Sequence, residues 1–187
     1  MDFEELGIKG VWIARSPIHH DNRGTFREWF KPDQLKTALG IDFEVKQANV
    51  SNSKKGVIRG IHYSLAGNGQ GKWVTCTSGS IWDVVVDIRP ESPTFRKWIG
   101  LELSEGSGES IFVSNGLGHG FVSLQNNSTV VYLLTSEYSP GEEFEISPLD
   151  ADLGITWPLA ELFLSDKDRS APTLREQLSA GNLKTRI

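Results

Sequence analysis

GKWVTCTSGSIWDVVVDIR, running from Gly71 to Arg89, is the stretch on which the reading of the fold turns. Two runs rich in β-branched and aromatic residues, Lys72–Thr77 and Ile81–Arg89, flank Ser78-Gly79-Ser80. Gly79 permits a chain reversal, so the pattern predicts a β-hairpin. A strand points successive side chains to opposite faces. In the second run Trp82, Val84, Val86 and Ile88 share one face, and Ile81, Asp83, Val85, Asp87 and Arg89 share the other. The first face is wholly apolar and the second mixes apolar with charged groups. That composition suits a strand lying between a core and a polar cavity.

Outward from this stretch the chain reads as more sheet. Gly10–Arg15, Thr25–Phe30, Phe43–Val50 and Val57–Ser64 are strand candidates on the N-terminal side. Asp21-Asn22-Arg23-Gly24 is a turn signal. Lys31–Leu39 predicts a short helix, because Pro32 fits a first helical turn. On the other side Phe95–Leu103 and Ile111–Val113 continue the sheet. Phe121–Leu124 and Thr129–Thr135 form an expected pair joined by Gln125-Asn126-Asn127-Ser128. Ser114–Gly120, SNGLGHG, reads as a polar loop around His119. Phe144–Ile146 is short and extended, and Thr173–Ala180 predicts a closing helix. Many short strands with turns every few residues indicate an all-β antiparallel barrel or sandwich. No repeat or linker divides the chain, so residues 1–187 are expected to form one domain.

Composition narrows the function. The 187 residues carry 19 Lys plus Arg against 24 Asp plus Glu, a net charge of −5, which offers no basic face for nucleic acid. An acidic chain can still hold an anionic small molecule in a locally positive pocket. The single cysteine, Cys76, allows neither an intrachain disulfide nor a multi-cysteine metal site, and suits a reducing, cytoplasmic setting. No window reaches the length of a membrane span, and MDFEELGIKG lacks the form of a signal peptide.

The motifs DNRGTFREWF from Asp21, QAN from Gln47, GVIRGIHY from Gly56, the opening stretch, GLGHGF from Gly116, TVVYLLTSEYSP from Thr129, DADLGITWPL from Asp150 and LSDKDRSAP from Leu164 follow one another in order. Together they resemble the dTDP-4-dehydrorhamnose 3,5-epimerase family. The resemblance covers Asp21 to about Pro172. It implies a cupin-type antiparallel jelly roll with a few short helices, acting without metal or cofactor on a dTDP-linked 4-keto-6-deoxyhexose. Taken as residue types, the same groups are unremarked: a strand histidine, a strand tyrosine and a loop aspartate usually serve packing or solvation.

The resemblance gives five residues chemical roles. His62 is the base that takes the proton beside the ketone, a task suited to an imidazole. Asp168 orients it, although 106 positions separate them in the sequence. Asp83, a charge in an otherwise apolar strand, is a rival partner. Tyr132 is the acid on the opposite face of the ring. Lys72 and His119 face the C4 oxygen, where negative charge builds. Arg23, Glu28, Gln47, Asn49, Arg59, Glu143 and Lys167 match substrate-binding positions, and Tyr138 matches an aromatic that stacks on thymine. Arg59 and His62 differ by three, so a regular strand would point them apart. Either Gly60 marks a bulge or Arg59 serves another edge of the pocket.

Some positions depart from the family pattern: Ala48, Ser64, Gly118 and Phe144. None removes a proposed catalytic group, while Ser64 and Phe144 bear on the fit of sugar or nucleotide. A metal-binding cupin would need two close histidines on one strand, and here His62 stands alone between Ile61 and Tyr63. The resemblance therefore implies epimerisation at C3 and C5. Two alternatives stay open: a single-position 3- or 5-epimerase with the same residues, and a non-enzymatic nucleotide-sugar-binding jelly roll. It further implies a homodimer, in which the aromatic run Thr25–Phe30 covers an open sheet edge and Arg23 and Glu28 serve the neighbour's pocket.

Overall fold

The computed structural model describes residues 1–67 and 69–183. In chain order the strands are β1 (Asp2–Glu5), β2 (Val11–Arg15), β3 (Ile18–Asp21), β4 (Gly24–Arg27), β5 (Gln47–Ser53), β6 (Ile58–Ser64) and β7 (Lys72–Ser78). Then follow β8 (Ser80–Asp87), β9 (Trp98–Ser104), β10 (Glu109–Val113), β11 (Leu117–Ser123), β12 (Ser128–Leu134) and β13 (Glu143–Glu145). The helices are short: α1 (Pro32–Leu39), α2 (Asp166–Arg169) and α3 (Leu174–Ser179). One sheet has the order β1-β2-β10-β7-β12-β5, and a second has the order β13-β6-β11-β8-β9. All pairings within them are antiparallel. The fold is an all-β jelly roll.

The opening stretch corrects the hairpin expectation. β7 pairs with β10 and β12 in the first sheet, whereas β8 pairs with β11 and β9 in the second. Ser78-Gly79-Ser80 is thus a corner between two sheets. Gly79 takes a φ of +70°, and a Cβ there would come within 2.8 Å of the Ser128 hydroxyl. The expected pairing of Phe121–Leu124 with Thr129–Thr135 fails in the same way, since β11 and β12 belong to different sheets. His119 is not in a loop: the glycine-rich run is strand from Leu117 onward. β1 is a strand that the sequence reading did not anticipate.

Alternation along the strands explains how the sheets stack. Val74 and Cys76 of β7, Ile81 and Val85 of β8, Leu117 and Phe121 of β11 and Val130 of β12 meet in one buried cluster between the sheets. Val84 and Val86, on the other face of β8, pack with Ile61, Tyr63, Ile146 and Leu174 beneath the C-terminal segment. Trp73, Phe112 and Leu133 pack outside the first sheet with Leu35 of α1 and Phe43. Each large side chain so buried contributes about 1.5–3 kcal/mol. Pro32 lies in the first turn of α1, and Gly40 ends the helix in the left-handed conformation. Thr173 and Glu176 form a capping box at α3. The β3–β4 hairpin is tied to the first sheet by Arg27, whose guanidinium donates to the hydroxyls of Ser16, Thr75 and Ser110.

Candidate active site

The row of inward-facing positions between the sheets is apolar at one end and polar at the other. Lys72 follows the parity of Val74 and Cys76, Asp83 that of Ile81 and Val85, His119 that of Leu117 and Phe121, and Tyr132 that of Val130. His62 lies between Ile61 and Tyr63, which pack outward, so it points inward. These side chains leave the sheets unfilled at one mouth. A cleft of about 450 Å³ opens there, with His62, Lys72, His119 and Tyr132 among its walls, together with Arg59, Lys167 and Asp168. A connecting lobe of about 180 Å³ shares His62, Lys72, Tyr132 and Lys167, and adds Gln47, Asn49, Tyr138 and Glu143.

His62 stands on β6 of the second sheet and Tyr132 on β12 of the first, so they enter the cleft from facing walls. Nε2 of His62 lies 2.6 Å from Oδ1 of Asp168. An ionised carboxylate only accepts, so Nε2 carries the proton and Nδ1 keeps a lone pair. Burial pushes the Asp168 carboxyl up. His62, the Ser165 hydroxyl and the Lys167 charge outweigh that and hold it below the ordinary carboxylate value. Asp83, the rival partner, belongs elsewhere: it is fully buried and lies 2.8 Å from Nε2 of His119.

Lys72 is the most perturbed cation in the cleft. Burial pushes its ammonium down to about 8, although Glu143 and Asp83 pull the other way. Its Nζ donates to the His62 carbonyl at 3.2 Å. An ammonium held in so poorly hydrated a place interacts strongly with any negative charge that forms beside it.

The Arg59–His62 question is resolved by a bulge. His62 lies opposite His119 and Arg59 opposite Phe121, so β6 spends three steps where β11 spends two. Gly60 sits in the bulge with a φ of +131°, and a Cβ there would lie 2.5 Å from the Gly120 Cα. Both Arg59 and His62 therefore line the cleft. Arg59 donates to Ser53 Oγ and the Asn52 carbonyl. In the smaller lobe Gln47 donates to Asn49 and accepts from the Tyr138 amide. Ser64, one of the departures, donates to Glu143 at 2.9 Å. Phe144, another, stacks on Tyr63 and borders the smaller lobe. Lys167 pairs with Glu145 at 3.1 Å.

Arg23 and Glu28 are not brought to this cleft. The Arg23 side chain is 85% exposed at the tip of the β3–β4 hairpin and pairs with Asp21. Glu28 pairs with Lys31 and borders a separate cavity of about 150 Å³. The sequence reading missed Ser51 and Ser165, which also line the cleft. Ser51 Oγ is buried without a hydrogen-bond partner among the described residues. The Ser-x-x-Asp spacing of a helix cap was the available signal for Ser165. Among the described residues no group of three or more His, Cys, Asp or Glu side chains is placed to hold a metal ion. Nor is any described helix long and apolar enough to cross a membrane.

The family model for dTDP-4-dehydrorhamnose 3,5-epimerase matches residues 5–176. A dTDP-4-dehydrorhamnose 3,5-epimerase of Mycolicibacterium smegmatis is 44% identical over 186 residues, covering 99% of this chain and 92% of that protein. A dTDP-4-dehydro-6-deoxyglucose 3-epimerase of Streptomyces bikiniensis is 43% identical over 181 residues, covering 96% and 92%. Among solved structures, the Mycobacterium tuberculosis rmlC epimerase superposes with a TM-score of 0.96 at 42% identity, over 100% of this chain and 94% of that one.

Proposed function

Since this chain belongs to the dTDP-4-dehydrorhamnose 3,5-epimerase family, we propose that its cleft inverts C3 and C5 of dTDP-4-dehydro-6-deoxy-D-glucose, giving dTDP-4-dehydro-L-rhamnose. The observation that carries the reading is the entry of His62, backed by Asp168 at 2.6 Å, and Tyr132 from facing sheets into one cleft. Inversion needs a base on one side of the sugar ring and an acid on the other.

The ketone at C4 makes the hydrogens on C3 and C5 acidic. Nδ1 of His62 takes one of them, and the electron pair moves into an enolate whose charge rests on the C4 oxygen. Lys72 supplies the positive partner for that oxygen, and His119, whose Nε2–H is taken by Asp83, donates Nδ1–H to it in its doubly protonated form. Tyr132 then gives its phenolic proton to the carbon from the opposite face. Exchange with solvent returns a proton to Tyr132 and removes one from His62. No oxidation state changes, so the sequence of steps draws on no redox group. Arg59 and Lys167 suit the diphosphate, with Arg59 able to donate two parallel hydrogen bonds. Gln47, Asn49, Glu143 and Tyr138 suit the nucleotide end of the smaller lobe.

Incubation with dTDP-4-dehydro-6-deoxyglucose in deuterated water, followed by proton NMR, tests this. Loss of both the C3 and C5 proton signals with formation of dTDP-4-dehydrorhamnose is the expected result. No exchange by folded protein sinks the enzymatic reading and leaves the nucleotide-sugar binder. The nearly equal identity to the Streptomyces bikiniensis 3-epimerase favours one second reading, inversion at C3 alone. The same spectrum identifies it by a retained C5 proton.

We further propose a homodimer in which the β3–β4 hairpin carries Arg23 and Glu28 to the neighbour's cleft. The exposed Phe26 on that hairpin, 65% accessible in the single chain, supports a covered position. Light scattering should give twice the chain mass of 20.7 kDa. A monomer with full activity would refute the shared site.

A further inference from the structure

We propose that Ser165 is a positioning residue for this reaction: its hydroxyl locks the Asp168 carboxylate, and through it the tautomer of His62. The proposal rests on the reading of His62 as the base. Ser165 is delivered by a strap of chain laid along the start of β6. The Phe163 amide donates to the Gly56 carbonyl at 2.8 Å, and the Ile58 amide donates to the Phe163 carbonyl at 2.9 Å. Ser165 then caps α2, its Oγ accepting from the Asp168 amide at 3.1 Å.

An N-cap serine commonly leaves its own proton to solvent. Here the proton has a defined acceptor. Oγ lies 2.9 Å from Asp168 Oδ2, and since the backbone amide is the donor of the other bond, the hydroxyl donates to the carboxylate. Asp168 is thus held by both oxygens, Oδ2 by Ser165 and Oδ1 by His62 at 2.6 Å. With both partners in place its side chain is only 5% exposed.

The consequence falls on the imidazole. A carboxylate fixed in rotation and ionised can only accept, which keeps the proton on Nε2 and the lone pair on Nδ1. Remove the Ser165 hydroxyl and Oδ2 loses its side-chain donor, a change that costs free energy. Rotation or protonation of the carboxyl relieves it. A protonated carboxyl donates to Nε2 and moves the ring proton to Nδ1, where the base can no longer accept from substrate. Loss of the right tautomer is a known way to disable a histidine base without removing it.

The capping role and the positioning role can be separated. Glycine is nearly as good as serine at an N-cap but carries no hydroxyl, whereas threonine keeps both. The test is nitrogen-15 NMR of histidine-labelled, substrate-free protein, with His62 assigned by difference against His62→Asn. It is paired with kcat and KM for deuterium exchange. Wild type and Ser165→Thr should show one Nε2–H tautomer for His62. Ser165→Gly should show an added Nδ1–H population and a kcat lower by roughly tenfold or more, with KM unchanged. Ser165→Ala, if it folds by circular dichroism, should match Ser165→Gly. A Ser165→Gly protein that keeps either the wild-type tautomer or the wild-type kcat overturns the proposal, as does a folded Ser165→Thr protein that fails to restore both. If wild type itself exchanges no deuterium, the epimerase reading falls, and the tautomer alone decides the part played by Ser165.

Discussion

Replacing Lys72 by methionine should make the protein more stable and inactive. Lys72 is buried, and burial brings its ammonium from 10.5 to about 8. At pH 7 the folded chain therefore carries a charge it would rather lose, at a cost of about 3 kcal/mol. Methionine has a similar length and no charge. It forfeits the hydrogen bond to the His62 carbonyl, worth about 1 kcal/mol. The net gain is about 2 kcal/mol, or roughly 4–8 °C in Tm for a chain of this size. The sign of the pH dependence follows from the lowered value. Between about pH 8 and 10.5 the folded wild-type chain has given up this proton while the unfolded chain still binds it. Wild-type stability thus rises relative to the variant across that window. Urea unfolding of both proteins at pH 7 and pH 9.5 measures the effect, with other titrating groups cancelling in the difference. The advantage of Lys72→Met should shrink by about 2 kcal/mol between the two. A difference that is flat with pH, or a variant less stable than wild type at pH 7, would refute the claim that Lys72 is held desolvated.

Three further outcomes are expected. His62→Ala should abolish deuterium exchange, whereas Tyr132→Phe should lose most net inversion yet retain wash-out, since the base can return a proton to its own side; an unchanged ratio of exchange to inversion would leave Tyr132 a packing residue. Gly60→Ala should lower stability by roughly 2 kcal/mol or more, because its Cβ would meet backbone at 2.5 Å, and should raise KM and lower kcat together by displacing Arg59 and His62; wild-type melting would refute the close approach. Burial pushes Asp87 up, but Arg89, Ser92 and Thr94 hold it at about 2, so its contribution to stability is complete above about pH 4 and fades toward pH 2; Asp87→Ala should cost about 3 kcal/mol at pH 7 and flatten that acid dependence in urea titrations.

Much of the site could be read from local pattern. The parity of the second run of the opening stretch assigned Asp83 and Val85 to one face and Val84 and Val86 to the other, and those faces meet the cleft or inner core and the outer core respectively. Pro32 marked a helix start because its fit to a first helical turn is a local property, and the closing helix expected from Thr173 proves to open on a capping box. Motif order identified the family, since many weak matches in sequence multiply. His119 was assigned to a loop because its glycine neighbours, which favour turns locally, here let β11 pass close to Gly60 and Ile61 in three dimensions.

What the sequence by itself determined is which side chains share a face, where caps and turns fall, and that the chain is built of short antiparallel strands. Period-two alternation and capping depend on neighbours along the chain, so they survive without a fold. The partner of each strand was decided only by tertiary structure. Ser78-Gly79-Ser80 looks the same whether it closes a hairpin or turns a corner, and the choice depends on β10, β11 and β12, which lie further along. The His62–Asp168 pair and the bulge at Gly60 follow from that stacking. Each joins groups that lie far apart along the chain or on different strands, and no single stretch of chain can bring them together by itself.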